Sequence, residues 1–475
     1  MKYYSTNKKA PEATLENAVV KGLAEDRGLY MPEIIKALPE SFFANIERMS
    51  FQEIAYTVAD AFFGEDVDAE SLKQIVYDTL QFDCPVVKVD ENIYTLELFH
   101  GPTLAFKDVG ARFMARLLQY FLKQGGEYVS SKQNSNSKSE VNVLVATSGD
   151  TGSAVANGFL GVDGIHVYVL YPKGKVSPIQ ECQFTTLGKN ITAIEVDGVF
   201  DDCQALVKSA FMDEELNAHM KLTSANSINV ARFLPQAFYY FNAYARIKEQ
   251  LRKENKELVI CVPSGNFGNI CAALFGHKMG LPVKRFIAAN NANDVFYNYL
   301  QTGVYEPKAS LQTLANAMDV GDPSNFARIY DLYKGNHEAI TALISGATYK
   351  DAQIAQTMKD CYKETKYVLD PHGACGYQAL KEQLKADEIG IFCETAHPAK
   401  FKEKVDAILH TDIEIPTRLQ EFMKGTKQSV AMSNDFADFK AFLMKLLFYM
   451  VVGCRLWVVG ILLIDFNQQP TTNNQ

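Results

Sequence analysis

Cysteine and histidine occur in this sequence without the spacings that metal sites and disulfide frameworks require. Nine cysteines are scattered over 475 residues, with no close metal-ligand pair. The turns at 370–374 and 394–398 each carry a histidine but no His-x-x-x-His partner, so a catalytic zinc site is not supported. The chain begins with charged and polar residues, and no secretory signal is visible. We therefore expect a cytoplasmic protein with no metal.

Other enzyme and binding classes lack their motifs as well. No Gly-x-Ser-x-Gly elbow is present for a hydrolase triad. The glycine-bearing loop at 263–269 is neither a Walker sequence nor a Gly-x-Gly-x-x-Gly fingerprint, so ATP and NAD are poorly supported. A net charge of −9 argues against a nucleic-acid surface. Any phosphate site must therefore be built locally.

The length and the 47% hydrophobic content allow two or three globular domains. Residues 1 to about 92 read as a mostly helical segment. From Leu96 onward, short apolar runs alternate with helical patterns, which predicts an α/β fold with parallel sheets covered by helices. The predicted strands are 141–146, 166–170, 191–196, 258–262, 285–289 and 389–393.

One lysine stands at the start of a predicted helix. Gly101-Pro102 breaks the preceding strand, and apolar residues then recur at helical spacing through 113–122, which places Lys107 near the helix start. Positive charge opposes the helix dipole there, so the lysine pKa should fall. Such a lysine is a nucleophile that can form a Schiff base with an aldehyde. The alternative is an ordinary surface lysine whose stem covers apolar residues.

The loop at 263–269 lies between an apolar strand and a helical pattern, an arrangement that can cradle an anion. Gly265 and Gly268 allow the backbone to approach a ligand, and free amides at the helix start point to the same place. A plain glycine-rich connection would look similar.

Two further segments could bind anions. The loop 147–153 gathers hydroxyls and amides before a helix, although Ser148 or Asp150 could equally serve as an ordinary helix cap. The segment 226–232 ends in Arg232, which could grip a phosphate through two parallel hydrogen bonds. Read alone, this segment could also be a helix cap with a surface arginine.

Two segments are not expected to take part in catalysis. The polar run 130–140 reads as an exposed loop. The apolar segment 446–464 is long enough for a membrane span, but the central Arg455 would cost about 2.5–3.5 kcal/mol on insertion. We expect a divergent or read-through tail that could pack as a terminal helix, with a membrane anchor as the alternative.

The motifs taken together, in their order and spacing, resemble the threonine synthase family. They are HGPTLAFKD at 100–108, ATSGDTGSA at 146–154, NSINVAR at 226–232, PSGNFGN at 263–269 and ETAHPAKF at 394–401. The stretch GLAEDRGLYMP at 22–32 is similar to the opening segment of the family. The resemblance implies the two-lobed, tryptophan-synthase-β-like α/β fold (fold type II) of pyridoxal-phosphate enzymes, with the cofactor in the cleft.

The resemblance also implies a division of the chain and a set of cofactor residues. The division is an N-terminal domain at 1–92, a catalytic domain at 93–440 with its smaller lobe at about 110–230, and a divergent tail at 441–475. Lys107 would hold pyridoxal phosphate as a Schiff base, and Thr395 would face the pyridine nitrogen. Asp150 stands where shorter members place an asparagine beside the 3′-oxygen, which a carboxylate would repel unless it is protonated or turned away. The residues expected to bind the cofactor phosphate are Gly265, Asn266, Phe267, Gly268 and Asn269.

The reaction implied is that of a lyase, which converts O-phospho-L-homoserine and water into L-threonine and phosphate as the last step of threonine biosynthesis. Lys107 would move protons at the α- and β-carbons. The substrate carboxylate would bind Ser148, Gly149 and Thr151. The leaving phosphate would be stabilised by Lys175, Ser227, Asn229 and Arg232. A homodimer is a further expectation. The alternatives are another fold type II lyase, such as a serine/threonine dehydratase, and a catalytically silent phosphate-binding homologue.

Overall fold

The computed structural model describes residues 1–124 and 140–445. The apolar segment 446–464 and all but the last residue of the polar run 130–140 lie outside these residues. Within the two described ranges, no helix is both long and apolar enough to cross a membrane.

Two sheets form the body of the protein. The strands are β1 (Lys2–Ser5), β2 (Ala13–Thr14), β3 (Tyr30–Pro32), β4 (Val86–Asp90), β5 (Ile93–Glu97), β6 (Val141–Ala146), β7 (Ile165–Pro172), β8 (Ile191–Val196), β9 (Lys221–Ser224), β10 (Glu257–Pro263), β11 (Arg285–Asn290), β12 (Ile344–Thr348), β13 (Glu388–Glu394) and β14 (Val430–Met432). The larger sheet has the strand order β12-β11-β10-β13-β5-β4, in which only β4 runs antiparallel to its neighbour. The smaller sheet is parallel throughout, with the order β14-β8-β7-β6-β9.

Helices cover both sheets. They are α1 (Leu15–Lys21), α2 (Glu40–Asn45), α3 (Phe51–Phe63), α4 (Ala69–Thr79), α5 (Lys107–Gln124), α6 (Asp150–Phe159), α7 (Pro178–Thr185), α8 (Phe200–Met212), α9 (Glu214–His219), α10 (Val230–Phe233), α11 (Ala237–Glu254), α12 (Gly268–Lys278), α13 (Val295–Thr302), α14 (Phe326–Leu332), α15 (His337–Leu343), α16 (Asp351–Thr365), α17 (Pro371–Gln383), α18 (Lys402–Leu409) and α19 (Thr417–Met423). Short 3-10 helices lie at Ile46–Arg48, Leu234–Gln236, Asn316–Met318 and Pro398–Phe401.

The α/β fold and the six predicted strands are confirmed. All six appear within two residues of the predicted bounds, because each is an apolar run buried on both faces, as strands of covered parallel sheets are. The predicted apolar face of α5 is also present, with Phe113, Leu117, Leu118 and Phe121 fully or almost fully buried. We did not foresee β9 and β12, whose runs are short, nor β14, which joins the smaller sheet from far along the chain.

The N-terminal segment is less helical than expected. Its first 32 residues include a three-stranded antiparallel sheet of order β2-β1-β3. Residues 86–90 then form β4, so the larger sheet already begins within the segment that we read as helical. Three strands of two to four residues are too short for a clear alternating pattern, and this explains why the sequence did not indicate them.

The carboxyl ends of the strands position the cleft. In the larger sheet, β10 pairs with β13 and β13 with β5, so the loops after all three strands leave from one edge. In the smaller sheet, β6 lies between β7 and β9, and the loops after β6 and β9 leave side by side. Open parallel sheets bind ligands beyond the carboxyl ends of their strands. All five sequence motifs follow such ends.

Candidate active site

Lys107 is the first residue of α5, and its side chain lines the cleft between the two sheets. Asp108 stiffens the turn before it, accepting hydrogen bonds from the backbone N–H of Thr103 at 2.9 Å and from the Thr103 hydroxyl at 2.6 Å. The Tyr239 hydroxyl donates to the carbonyl of Phe106. These contacts fix the backbone that carries the lysine.

The pKa of Lys107 is lowered from 10.5 to about 8. Burial is the largest cause, because it disfavours the charged form. Arg232 and Lys400 lower the pKa further by repulsion, and Asp150 opposes them. The predicted helix start and lowered pKa are therefore both present, but burial rather than the helix dipole is the leading cause. A substantial fraction of this amine is neutral and nucleophilic near neutral pH.

The loop after β10 forms an anion cradle. Phe267 has a left-handed backbone with φ of 63°, and α12 begins at Gly268. Among the described residues, no acceptor takes the backbone N–H groups of Gly265, Asn266 or Phe267. The amide of Asn269 donates to the Pro263 carbonyl at 2.8 Å and ties the helix start to the strand end. Free amides at the start of a helix are a ready site for phosphate.

Close packing explains both glycines of the cradle. A Cβ on Gly265 would lie 2.7 Å from the carbonyl oxygen of Ala317 and 2.8 Å from the Cα of Met318. A Cβ on Gly268 would lie 2.9 Å from the Cβ of Ser227. The loop therefore fits only because side chains are absent at these two positions.

Asp150 forms a buried ion pair that the sequence did not indicate. Its carboxylate lies 2.6 Å from the Nζ of Lys400, which is fully buried, and it accepts a hydrogen bond from Gln180 at 2.8 Å. Burial by itself raises the pKa of Asp150. Attraction to Lys400 and Lys107, with these hydrogen bonds, outweighs burial and brings the pKa to about 2. Asp150 is thus ionised and its charge is compensated.

The loop after β6 presents two hydroxyls to the cleft. The side-chain oxygen of Thr147 accepts from the N–H groups of Gly149 at 2.9 Å and Gly152 at 2.8 Å and so stabilises the start of α6. The hydroxyl residues Ser148 and Thr151 line the cleft instead. The N-cap of α6 is Gly149, so neither Ser148 nor Asp150 caps the helix, and Ser148 is available for a ligand.

Arg232 is almost completely buried at the cleft wall. Its terminal nitrogen donates to the carbonyl of Lys107 at 3.3 Å, while its Nε has no acceptor among the described residues. Burial lowers its pKa to about 10. The Ser227 hydroxyl also faces the cleft, held by the amides of Asn266 at 2.9 Å and Asn325 at 3.1 Å. A buried guanidinium with a free donor can bind an anion.

Two predicted substrate residues, Lys175 and Asn229, do not line the cleft. The amide of Asn229 donates to the carbonyls of Val19 and Ser224 and accepts from the N–H of Ala231, so it caps α10 beneath the cleft. Lys175 is exposed on the loop after β7 and does not line the cleft. Capping was the alternative reading of the 226–232 segment, and it holds for Asn229 but not for Arg232.

A second buried arginine supports the cradle from behind. Arg328 is fully buried and donates to the carbonyls of Tyr30, Ser227 and Ile228 and to the side-chain oxygen of Asn325. Its guanidinium lies 4.0 Å from the ring centroid of Phe233. Within 1–124 and 140–445 no carboxylate pairs with it. The N-terminal segment is thereby tied to the cleft wall.

Thr395 follows β13 and lies beside the lysine turn. Its carbonyl accepts from the N–H of Phe106 at 2.9 Å, and its side chain lines the cleft. Nearby, His372 lies 2.6 Å from Asp370 and accepts from the N–H of Ala317 at 3.2 Å. Since that N–H can only donate, the His372 proton is on the nitrogen facing Asp370. The histidine thus holds the 316–318 loop against the cradle.

The loops at the carboxyl ends of the two sheets line one common cleft. It brings together eleven of the predicted site residues. These are Lys107, Ser148, Thr151, Ser227, Arg232, Gly265, Asn266, Phe267, Gly268, Asn269 and Thr395. Sequence reasoning missed Lys400, which stands inside the motif ETAHPAKF and could have been found there. It also missed Arg328, for which no local pattern was available.

Three family models match the chain. The model described as pyridoxal-phosphate dependent enzyme matches residues 79–391. The model for the N terminus of threonine synthase matches residues 2–80, and the model for its C-terminal part matches residues 373–443.

Curated relatives and solved structures agree with these models. The threonine synthase of Haemophilus influenzae is 44% identical over 446 residues, covering 94% of this chain and 100% of that protein. The threonine synthase of Escherichia coli is 42% identical, covering 94% and 99%. The crystal structure of Escherichia coli threonine synthase has a TM-score of 0.85, with 41% identity, and covers 94% of this chain and 100% of its own. The pyridoxal-phosphate-bound threonine synthase of Brucella melitensis has a TM-score of 0.84, with 33% identity, covering 93% and 98%.

Proposed function

This chain belongs to the threonine synthase family of pyridoxal-phosphate-dependent enzymes, and from that premise we propose its substrate and the roles of its residues. It is a lyase that uses pyridoxal phosphate. The proposed substrate is O-phospho-L-homoserine, which reacts with water to give L-threonine and phosphate. One observation carries the assignment of roles: the amine of Lys107, whose pKa is lowered, and the free backbone amides of 265–267 open into the same cleft.

The residues of the cleft fit the cofactor. Unused amides at the start of α12 match a phosphate group, and Gly265 and Gly268 leave room for it. Lys107 can bond to an aldehyde because its pKa is lowered. Thr395 lies beside the lysine turn, where its hydroxyl would meet the pyridine nitrogen. We assign the cofactor phosphate to Gly265, Asn266, Phe267, Gly268 and Asn269.

The substrate would lie between the two lobes. Ser148 and Thr151, with the backbone at Gly149, would hold its carboxylate, since both hydroxyls face the cleft at the start of α6. Arg232 and Ser227 would hold its phosphate. The support for Arg232 is its buried Nε, which no described residue satisfies and which an anionic oxygen would satisfy.

Each step of the proposed reaction depends on a particular group in the site. The bound cofactor supplies an electron sink beside the α-carbon of the substrate. The amine of Lys107 would take the α-proton and then a β-proton, whose loss accompanies departure of the phosphate from the γ-carbon. It would return protons to the γ- and α-carbons, and a pKa of about 8 suits transfer in both directions. Arg232 stabilises the negative charge that develops on the departing phosphate. Water adds at the β-carbon to complete threonine.

We also propose a division of the chain into 1–92, 93–440 and 441–475, with β14 added to the smaller lobe. We propose further that the protein is a homodimer, which light scattering would test. A cytoplasmic location is supported by the free thiols of the eight cysteines within the described ranges, which suit a reducing compartment.

Borohydride trapping tests the role of Lys107. The reduced protein should carry one cofactor-derived mass adduct, which peptide mapping should place on Lys107. Lys107→Ala should abolish both the adduct and the formation of threonine. The matched control is Lys123→Ala at the exposed end of the same helix, which should keep both. An adduct on another lysine would contradict the assignment.

Product analysis tests the substrate. Phosphohomoserine should yield phosphate and threonine in equal amounts. Formation of a 2-oxo acid from serine or threonine, without use of phosphohomoserine, would identify a dehydratase instead. A protein that binds the cofactor and turns over none of these substrates would be the silent homologue.

A further inference from the structure

The ion pair between Asp150 and Lys400 joins the two lobes directly beside Lys107. Asp150 begins α6, which packs on the smaller sheet, whereas Lys400 lies in the 3-10 helix that follows β13 of the larger sheet. Their charged atoms lie 2.6 Å apart, and both side chains are almost completely buried. The Lys400 ammonium also donates to the carbonyl of Thr103 at 2.9 Å, at the start of the lysine turn.

Both members of the pair have further partners that fix their positions. The side chain of Gln180 donates to Asp150 at 2.8 Å. The side chain of Gln183, on the same helix α7, donates to the Thr103 carbonyl at 3.1 Å. The Ser177 hydroxyl donates to the backbone carbonyl of Lys400 at 3.1 Å. A pair so enclosed is screened little by solvent, so its charges act strongly on their neighbours.

The charges around Lys107 come from several elements. Asp150 on α6, Arg232 on α10 and Lys400 before α18 act directly on its nitrogen. Asp319 and His372 also line the cleft. Asp150 and Lys400 act in opposite directions, so each offsets part of the effect of the other on Lys107, while either alone would leave an uncompensated buried charge.

We propose that Lys400 is a positioning residue of the cofactor site, whose ammonium holds the Asp150 carboxylate in a neutral, fixed pair beside Lys107. This rests on the proposed role of Lys107 as the cofactor lysine. The pair explains how a carboxylate can occupy a position beside the cofactor where an uncompensated negative charge would be repelled. Each of these two residues is therefore needed to compensate the buried charge of the other.

The test is a titration of the holoenzyme with three variants. The absorbance of the bound cofactor changes with pH when the Lys107 nitrogen gains or loses its proton, so the midpoint reports the charges around that nitrogen. Lys400→Met leaves the carboxylate uncompensated and should raise the midpoint by about one pH unit or more. Asp150→Asn leaves the ammonium uncompensated and should lower it by a similar amount. The double variant leaves neither charge, and its midpoint should lie between those of the single variants and closer to the unaltered protein than either.

A matched control separates local from general effects. Lys402→Met makes the same charge change two residues further along, where the lysine pairs with Asp406 and Asp412 away from the cleft. Its midpoint should not move. Single shifts in the same direction, unmoved midpoints, or a double variant no closer to the unaltered protein than the singles would overturn the pairing.

Folding failure is also informative here. If the single variants do not fold, the double variant should still fold, because it buries no lone charge. A double variant that fails as the singles do would overturn the proposal. Borohydride trapping of the unaltered protein keeps the two proposals apart. An adduct on Lys107 with unmoved midpoints removes only the pairing, whereas the absence of that adduct removes the proposed role of Lys107 and the pairing with it.

Discussion

The pH dependence of cofactor attachment is the sharpest test of the lysine environment. The pKa of Lys107 falls from 10.5 to about 8. A difference of about 2.5 pH units corresponds to roughly a 300-fold larger neutral fraction near pH 7. About one amine in ten would then be neutral at that pH, against roughly one in 3,000 for an ordinary lysine. Only the neutral amine attacks an aldehyde, so attachment should speed up as the pH rises and level off above about 8.

Stopped-flow absorbance would measure this rate after cofactor-free protein is mixed with pyridoxal phosphate between about pH 6 and pH 10. The cofactor has ionisations of its own, and they also affect the rate. The matched control is therefore the reaction of Nα-acetyl-lysine, whose side-chain amine has an ordinary pKa, under the same conditions. The control rate is first divided by the neutral fraction of the Nα-acetyl-lysine amine, which leaves the pH dependence of the cofactor itself. Dividing the protein rate by this corrected control rate isolates the contribution of Lys107.

The result that would refute this reasoning is a protein rate that keeps rising to pH 10 in parallel with the control. The lysine would then be ordinary, and burial would not lower its pKa. Arg232→Met adds an internal check, because removal of a neighbouring positive charge should move the midpoint of the profile to higher pH.

Three further changes probe the anion sites and their support. Arg232→Met should lower kcat/KM for phosphohomoserine by a factor that corresponds to a loss of about 2–5 kcal/mol of transition-state stabilisation. An unaltered kcat/KM would place the leaving phosphate elsewhere. Gly265→Ala should weaken cofactor binding at least about tenfold in equilibrium dialysis, because its Cβ would lie 2.7 Å from a backbone oxygen of the 316–318 loop. Arg328→Met should lower the free energy of unfolding in urea by at least about 3 kcal/mol, because several buried carbonyls lose their donor. The exposed Arg246→Met should cost no more than about 0.5 kcal/mol, and equal losses would contradict the buried role.

Most of the site was accessible from sequence because its residues occur in short segments at the ends of strands. The strand before 263–269 is an apolar run, and the loop after it must lie at the edge of a parallel sheet. The same reasoning placed Ser148 and Lys107 in the cleft. The capping role of Asn229 was not evident, because a short motif does not state which way each side chain faces and the cap of a four-residue helix uses the same residue type as a ligand site.

The partners of these residues could not be predicted in the same way. Asp150 and Lys400 are separated by 250 positions, and Arg328 donates to three carbonyls from two separate segments of the chain. A titration curve depends on burial and on distances between charges, neither of which is written in local spacing.

The amino-acid order by itself determined the elements and the chemical groups at their ends. Apolar runs of five or six residues predicted the buried strands, and the glycines, hydroxyls and one lysine that follow such runs could be located from sequence, because these patterns are local in the chain. Tertiary structure alone decided the state of those groups. Only the packing of the two lobes buries Lys107 enough to lower its pKa and brings Lys400 against Asp150. The same packing places Arg328 against the carbonyl that precedes the 228–232 segment. Sequence could not indicate these effects, since electrostatic energies depend on distances in space.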